Sequence, residues 1–371
     1  MTDNLAHHSL GASGAHRWMN CPGSVRLCAM APPSDDTEFS REGTRAHEHA
    51  AQLLTVAPVD AQYALASERL LDEWSLDDWL AIQSYVHFCL DLPGQKHIET
   101  RLSLDPYIPG GFSTVDFAAM HENTLTIVDL KFGKGYEVRA EKNPQLMIYA
   151  LGALLEFGFL YDIHVIRMVI HQPRRNHVDE WDISVGELMA WADSKLKVAV
   201  FDATRENSPI VPGPTQCKFC PVKATCPALA EKVMAEVTRG FDVDGLTLSD
   251  MLGWVDTARS WASAIESRAM EELVAGKDVP GWKIVDGRST RSWADELAAE
   301  TALRDADLGD AVFTKKLVSP AQAEKLFGKK SPAWQAIAET HIKWSEPKPT
   351  LAREGSNKQA ITINALEGFE A

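Results

Sequence analysis

The 371-residue chain reads as an α/β protein. Three observations predict this. Two strand-like runs, Gly111–Met120 and Leu125–Phe132, flank the polar stretch His121-Glu122-Asn123-Thr124 and read as a β-hairpin. Asn143-Pro144 then supplies an N-cap and a first-turn proline for a helix over Gln145–Phe157. Two more strands follow that helix, Ile163–His171 and Val178–Ile183.

The remaining elements are read in order. Residues 1–15 are small and polar, and a flexible N-terminus is expected there. Cys21-Pro-Gly reads as a turn into a short helix, and Ala31-Pro-Pro-Ser-Asp-Asp-Thr as a loop. Thr44 can cap a helix running to about Leu54, and a second helical stretch covers roughly 60–92. After the strands, a helix is expected over 186–206, then a proline-rich break from Pro209 to Pro214. Beyond Phe241 the pattern turns mostly helical, over 246–275, 293–306, 319–327 and 331–342, with a short strand in Pro280–Asp286. Residues 345–371 are polar and read as extended. A boundary near 240 therefore separates a domain over 16–240 from a C-terminal region, 241–371, of unassigned role.

Composition bounds the function. At 45% hydrophobic and 24% charged residues the chain is ordinary globular material. Its apolar runs are far too short for a membrane span, and the N-terminus lacks the pattern of a signal peptide. A cytoplasmic protein is expected. A net charge of −15 excludes a generally basic surface but leaves room for a locally basic groove. Of the six cysteines, Cys217, Cys220 and Cys226 lie within ten residues, a spacing that points to metal rather than to packing. Cys89, inside an apolar helix, reads as packing.

The hairpin carries the chemistry. With Glu122 and Asn123 at the centre of the turn, paired residues have numbers summing to 245, which sets Asp116 opposite Asp129. Lys131 shares a face with Asp129, because side chains alternate along a strand. Two carboxylates facing each other repel. A divalent cation between them removes that cost, and an adjacent lysine completes a site for attack on a phosphate. His47 adds an imidazole, a set that suits Mg²⁺ or Mn²⁺. Gln145 and Tyr149 stand four residues apart and so share one helix face beside the hairpin. A one-residue slip of register would put Asp116 on the other face.

Four motifs, Gly43-Thr-x-x-His47, Gly111-Phe-Ser-Thr-Val-Asp116, Asp129-Leu-Lys131 and Gln145-x-x-x-Tyr149, together resemble the RecB-type branch of the PD-(D/E)XK nucleases. The resemblance covers about residues 16–230. It implies a restriction-endonuclease-like mixed sheet flanked by helices and a metal-dependent DNA nuclease. It implies metal ligation by His47, Asp116, Asp129 and the Leu130 carbonyl, water activation by Lys131, and positioning by Gln145 and Tyr149. Some members carry an acidic helper four residues after the histidine. Here that position is Ala51, and Glu99 is the candidate replacement.

Members with an iron–sulfur clasp take a fourth cysteine from far upstream, and Cys21 is similar to it, with Cys28 as its rival. The resemblance thus implies a [4Fe–4S] cluster, or a structural zinc, on Cys21, Cys217, Cys220 and Cys226. It is closest to the CRISPR-adaptation exonucleases, the AddB-type nuclease domains and an uncharacterised phage and prophage family. It implies an exonuclease working on DNA ends in phage recombination, with a phage single-strand annealing protein as its partner. A non-catalytic DNA-end-binding module and an endonuclease are the alternatives.

Overall fold

A computed structural model describes residues 8–31, 38–56, 74–239, 248–287, 289, 291–308, 317–328, 330–345, 349–353 and 359–360. The chain forms two compact units, 1–262 and 263–371. Position 240, where the sequence places a boundary, lies outside the described residues.

Unit one is built on a five-stranded sheet in the order β1-β2-β3-β4-β5. Its strands are β1 (Gln95–Ser103), β2 (Phe112–His121), β3 (Thr124–Leu130), β4 (Val165–Gln172) and β5 (His177–Ser184). The β3–β4 pair is parallel and the other three are antiparallel. The sheet is therefore mixed, as expected. Three helices flank it: α1 (Glu38–Thr55), α2 (Leu76–Asp91) and α3 (Pro144–Phe157).

The two faces have separate cores. Helix α3 covers one, packing Leu146, Ile148 and Leu151 against Val115, Met120, Leu125 and Ile127. Residues Gln145 to Ala153 of α3 are all buried, so this helix is enclosed on every side. Helices α1 and α2 cover the other face, packing Leu53, Ile82 and Val86 against Phe117, Ala119, Val128 and Leu130. Each fully buried aliphatic side chain contributes roughly 1.5–3 kcal/mol.

Three features near the site differ from expectation. Strand β1 is not predicted by the sequence pattern; the run Gln-Lys-His-Ile-Glu-Thr-Arg carries four titratable groups, which hides the strand period of an edge. Helix α1 begins at Glu38, more than a turn ahead of Thr44. Residues 8–15 are packed rather than flexible, with Leu10, Ala12 and Ala15 buried against the α3 core. Residues 1–7, and the first part of the helical stretch expected over 60–92, lie outside the described residues.

The region after the sheet is helical: Val185–Trp191 and Lys197–Thr204, joined by a π turn, then Pro227–Arg239, a helix the sequence pattern does not predict. Unit two contains helices Glu296–Leu303, Pro320–Phe327 and Pro332–His341, and two small antiparallel ribbons. Its core gathers Leu303, Val318, Ala323, Trp334 and Ile337. Trp293 packs edge to face on Trp334 there.

Candidate active site at the β2–β3 hairpin

The hairpin has the expected register. His121 pairs with Thr124 and Phe117 with Val128, each pair summing to 245. Glu122 takes the left-handed φ of 51° that a two-residue turn demands at its first position. The ladder stops one rung short of the aspartates. There the Leu130 amide donates to Asp116 Oδ2 at 3.0 Å. Asp116 is thus fixed by the backbone of the strand that carries Asp129.

Asp116 lies at an irregularity shared by two strands. Thr100 pairs with Val115 and Ile98 with Phe117, while Glu99 and Asp116 between them stand outside the ladder. Glu99 has a positive φ of 41°. Val115 faces the α3 core and Phe117 the α1–α2 core, although strict alternation would put both on one side. The pairing register is the same on both sides of this rung, so the two strands turn over together at Glu99 and Asp116 without the register shift of a bulge.

That rung meets His47 of α1. His47 Nδ1 is 3.3 Å from Asp116 Oδ2. One ligand atom each from His47, Glu99 and Asp116 fall within 4.8 Å of one another, and this is the one such group among the described residues. An imidazole and two carboxylates suit Mg²⁺ or Mn²⁺. Glu99 therefore joins the site, while Ala51 contributes no acid.

Asp129 is approached from the opposite layer. It is 1% exposed, and its carboxylate lies 2.7 Å from Lys131 Nζ and accepts from Gln145 Nε2 at 2.9 Å. Gln145 is the hub of this half. Its Oε1 accepts from Lys131 at 3.0 Å, and its Nε2 also reaches Tyr149 Oη at 3.0 Å. Its backbone amide is capped by Asn143 Oδ1 at 3.0 Å, so the Asn-Pro start of α3 sets the position of the hub. The sequence-predicted residues Asp129, Lys131, Gln145 and Tyr149 are thus linked by direct contacts. Asp129 falls outside the tight His47–Glu99–Asp116 group.

The charges settle each other. Burial alone would lower the His47 imidazole, but Asp116 outweighs it and raises it to about 9. Burial opposes charge on Asp116 too, yet His47, Lys131 and the Leu130 amide hold it below the usual carboxylate range. Burial, with Asp116 beside it, pushes Glu99 up to about 7. Asp129 is raised, chiefly by burial, with Asp116 adding to it against Lys131. Burial disfavours the Lys131 ammonium, but both aspartates outweigh that and keep it charged. His16 is a neighbour that sequence reasoning misses: burial lowers its imidazole most, Asn143 opposes that, and Lys131 lowers it further.

The four cysteines singled out by the sequence line one cavity. Cys21 Sγ accepts from the Val211 amide at 3.2 Å, and Cys217 Sγ from the Gly213 amide at 3.4 Å. The Gly23 amide donates to Pro209 O at 2.8 Å, and a Cβ on Gly23 would come within 2.8 Å of Ser208 O. Residues about 190 apart are therefore held together by backbone contact. Cys28 lies beside Cys220, which chiefly lowers its thiol to about 7. Among the described residues no three of these sulfurs lie within 4.8 Å of one another. Tetrahedral zinc would need them about 3.8 Å apart, given Zn–S bonds of about 2.3 Å. Cys89 is buried in the α1–α2 core, as expected of a packing residue.

Among the described residues no helix is long and apolar enough to cross a membrane. A solved structure titled "Crystal structure of SSO0001" is similar over 61% of this chain and 90% of its own, at 13% identity and a TM-score of 0.27, which is too low to bear on the fold. A family model described as "Protein of unknown function (DUF2800)" matches residues 7–359, which takes in both the hairpin site and the C-terminal unit. Over nearly its whole length, then, this chain belongs to the DUF2800 family.

Proposed function

We propose that this protein is a metal-dependent deoxyribonuclease of the PD-(D/E)XK type, acting as an exonuclease on DNA ends. The observation that carries this is the convergence of two layers on the end of the hairpin. His47, Glu99 and Asp116 gather on one side, and Asp129, Lys131, Gln145 and Tyr149 on the other. Carboxylates crowded together at a kink in a sheet, with Asp129 buried beside them, cost stability, and a sheet that served only folding would have no use for them.

Mg²⁺ or Mn²⁺, when bound, would stabilise charge on the phosphate and acidify the attacking water. His47, Glu99 and Asp116 would hold it, with Asp129 and the Leu130 carbonyl at the adjoining strand end. His47 must shed its proton to do so. Lys131 stays an ammonium under the pull of both aspartates, so it orients the water and meets charge developing on the phosphate. Gln145 holds Lys131 and Asp129 in a fixed relation, and Tyr149 holds Gln145.

The cysteine cavity is assigned to a [4Fe–4S] cluster, with structural zinc as the alternative, because four thiols line one cavity. Work on DNA ends in phage or prophage recombination, beside a single-strand annealing protein in the host cytoplasm, fits this activity.

The test uses purified protein with end-labelled single-stranded, double-stranded and closed circular DNA in Mg²⁺ and Mn²⁺. Release of nucleotides from linear DNA, abolished in Asp129→Ala and Lys131→Ala variants of normal fold, is expected. Cutting of the circle would make the protein an endonuclease. Binding without cleavage in either metal would leave a DNA-end-binding module. Undiminished cleavage by both variants would overturn the assigned site.

A further inference from the structure

Tyr136 and Phe219 form an exposed aromatic pair beside the candidate site. Their ring centroids are 5.8 Å apart and their planes 22° from parallel. Tyr136 is 45% exposed and Phe219 66%. A lone exposed aromatic is ordinary. Two of them stacked, with a lysine ammonium over them, form a specific surface. Lys218 Nζ lies 3.4 Å from the Tyr136 centroid and 5.5 Å from that of Phe219.

The pair is tied to the site by a short chain of hydrogen bonds. Lys131 N donates to His171 O at 2.9 Å. The next residue, Gln172, is 2% exposed. Its side-chain amide donates to Tyr136 O at 3.0 Å and accepts from Val138 N at 2.7 Å. The loop after Lys131 is therefore latched to the strand beside Lys131. Phe219 comes from the other direction, between Cys217 and Cys220, so the cysteine cavity sets its position.

We propose that Tyr136, Phe219 and Lys218 are a stacking platform for an unpaired base, which makes the substrate of this site a single-stranded DNA end. The assignment of a substrate rests on the nuclease reading above, whereas the stacking surface itself rests on the ring geometry. Base faces are hidden inside a duplex and open in a single strand, where aromatic side chains take them without regard to sequence. Lys218 supplies a cation for the neighbouring phosphate. The net charge of −15 leaves little for a long electrostatic track, so stacking carries more of the binding than in a basic nuclease.

The test is a titration of the full-length protein, without divalent metal, into a short single-stranded oligodeoxynucleotide carrying 2-aminopurine near its end. The same oligonucleotide in a blunt duplex is the control. A change in fluorescence of the single strand on binding is expected, with little response from the duplex. Phe219→Leu and Tyr136→Leu, which keep an apolar side chain but remove the ring, should each weaken binding about 5- to 100-fold. Phe219→Trp should preserve it. Circular dichroism and iron content check that each variant is intact. Wild-type affinity and fluorescence response in both Leu variants would overturn the platform. Cleavage of blunt duplex by wild type as fast as of single strand would also overturn it while leaving the nuclease standing. Stacking without cleavage of any DNA would sink the nuclease reading and leave the platform.

Discussion

His171 offers a test of how the floor of the site is held. Its backbone carbonyl fixes Lys131, and its imidazole is 3% exposed, against Tyr85 at 5.7 Å and Phe88 at 5.1 Å between ring centroids. Its Nδ1 is buried without a hydrogen-bond partner. Burial lowers this imidazole from 6.5 to about 4. A depressed histidine is neutral in the folded state and takes up a proton on unfolding at any pH between the two values. Its stabilising contribution is therefore fully present above pH 6.5 and falls as pH drops towards 4. The difference between those values is worth about 3 kcal/mol in total, lost at up to about 1.4 kcal/mol per pH unit. Glu99 acts in the opposite sense, since its raised value of about 7 favours the folded state on acidification. The contribution must be read as a difference. In urea unfolding from pH 7.5 to 4, wild type should lose about 3 kcal/mol more than His171→Gln. Parallel curves over that range would refute a buried, neutral His171.

Three further outcomes are expected. Gly94→Ala should destabilise unit one by at least about 2 kcal/mol in urea, because φ is +95° and the new Cβ would collide with Met120 O; a neutral result would place the start of β1 elsewhere. Gln145→Leu keeps the volume but frees Lys131 and Asp129, and should lower kcat about 100-fold with KM little changed in a steady-state nuclease assay. Cys217→Ser should lose iron, or zinc, by elemental analysis, and should lower Tm by about 2–4 °C for each kcal/mol lost.

Much of the site is legible in the sequence because its parts are local. Asp116, Asp129 and Lys131 are ordered by strand period and a two-residue turn, and the register sum of 245 is met along the ladder. Gln145 and Tyr149 are set by helical spacing, and Asn143 by its capping role. What stays hidden depends on contacts between distant segments. Glu99 reads from the sequence only as a candidate replacement for the absent acid; the contact that brings it to the site, β1 pairing with β2 and turning over at one residue, is marked by nothing in its neighbours. Tyr136 and Phe219 are far apart in the chain and meet only through folding. The packing of residues 8–15 is hidden in the same way, since small residues look alike in a tail and in a core contact.

The shared kink at Glu99 and Asp116 has a consequence for how this fold carries its chemistry. With both residues removed, the ladder would run from Ile98–Phe117 directly to Thr100–Val115. Strict alternation would then deliver Leu102 and Val115 to the α3 core and Phe117 to the other, where they already are. The two acids are supernumerary to the sheet. They form one added rung that belongs to neither core and meets His47 instead. A paired deletion is thus the gentlest way to silence the site, since it erases the acids and leaves both layers in register.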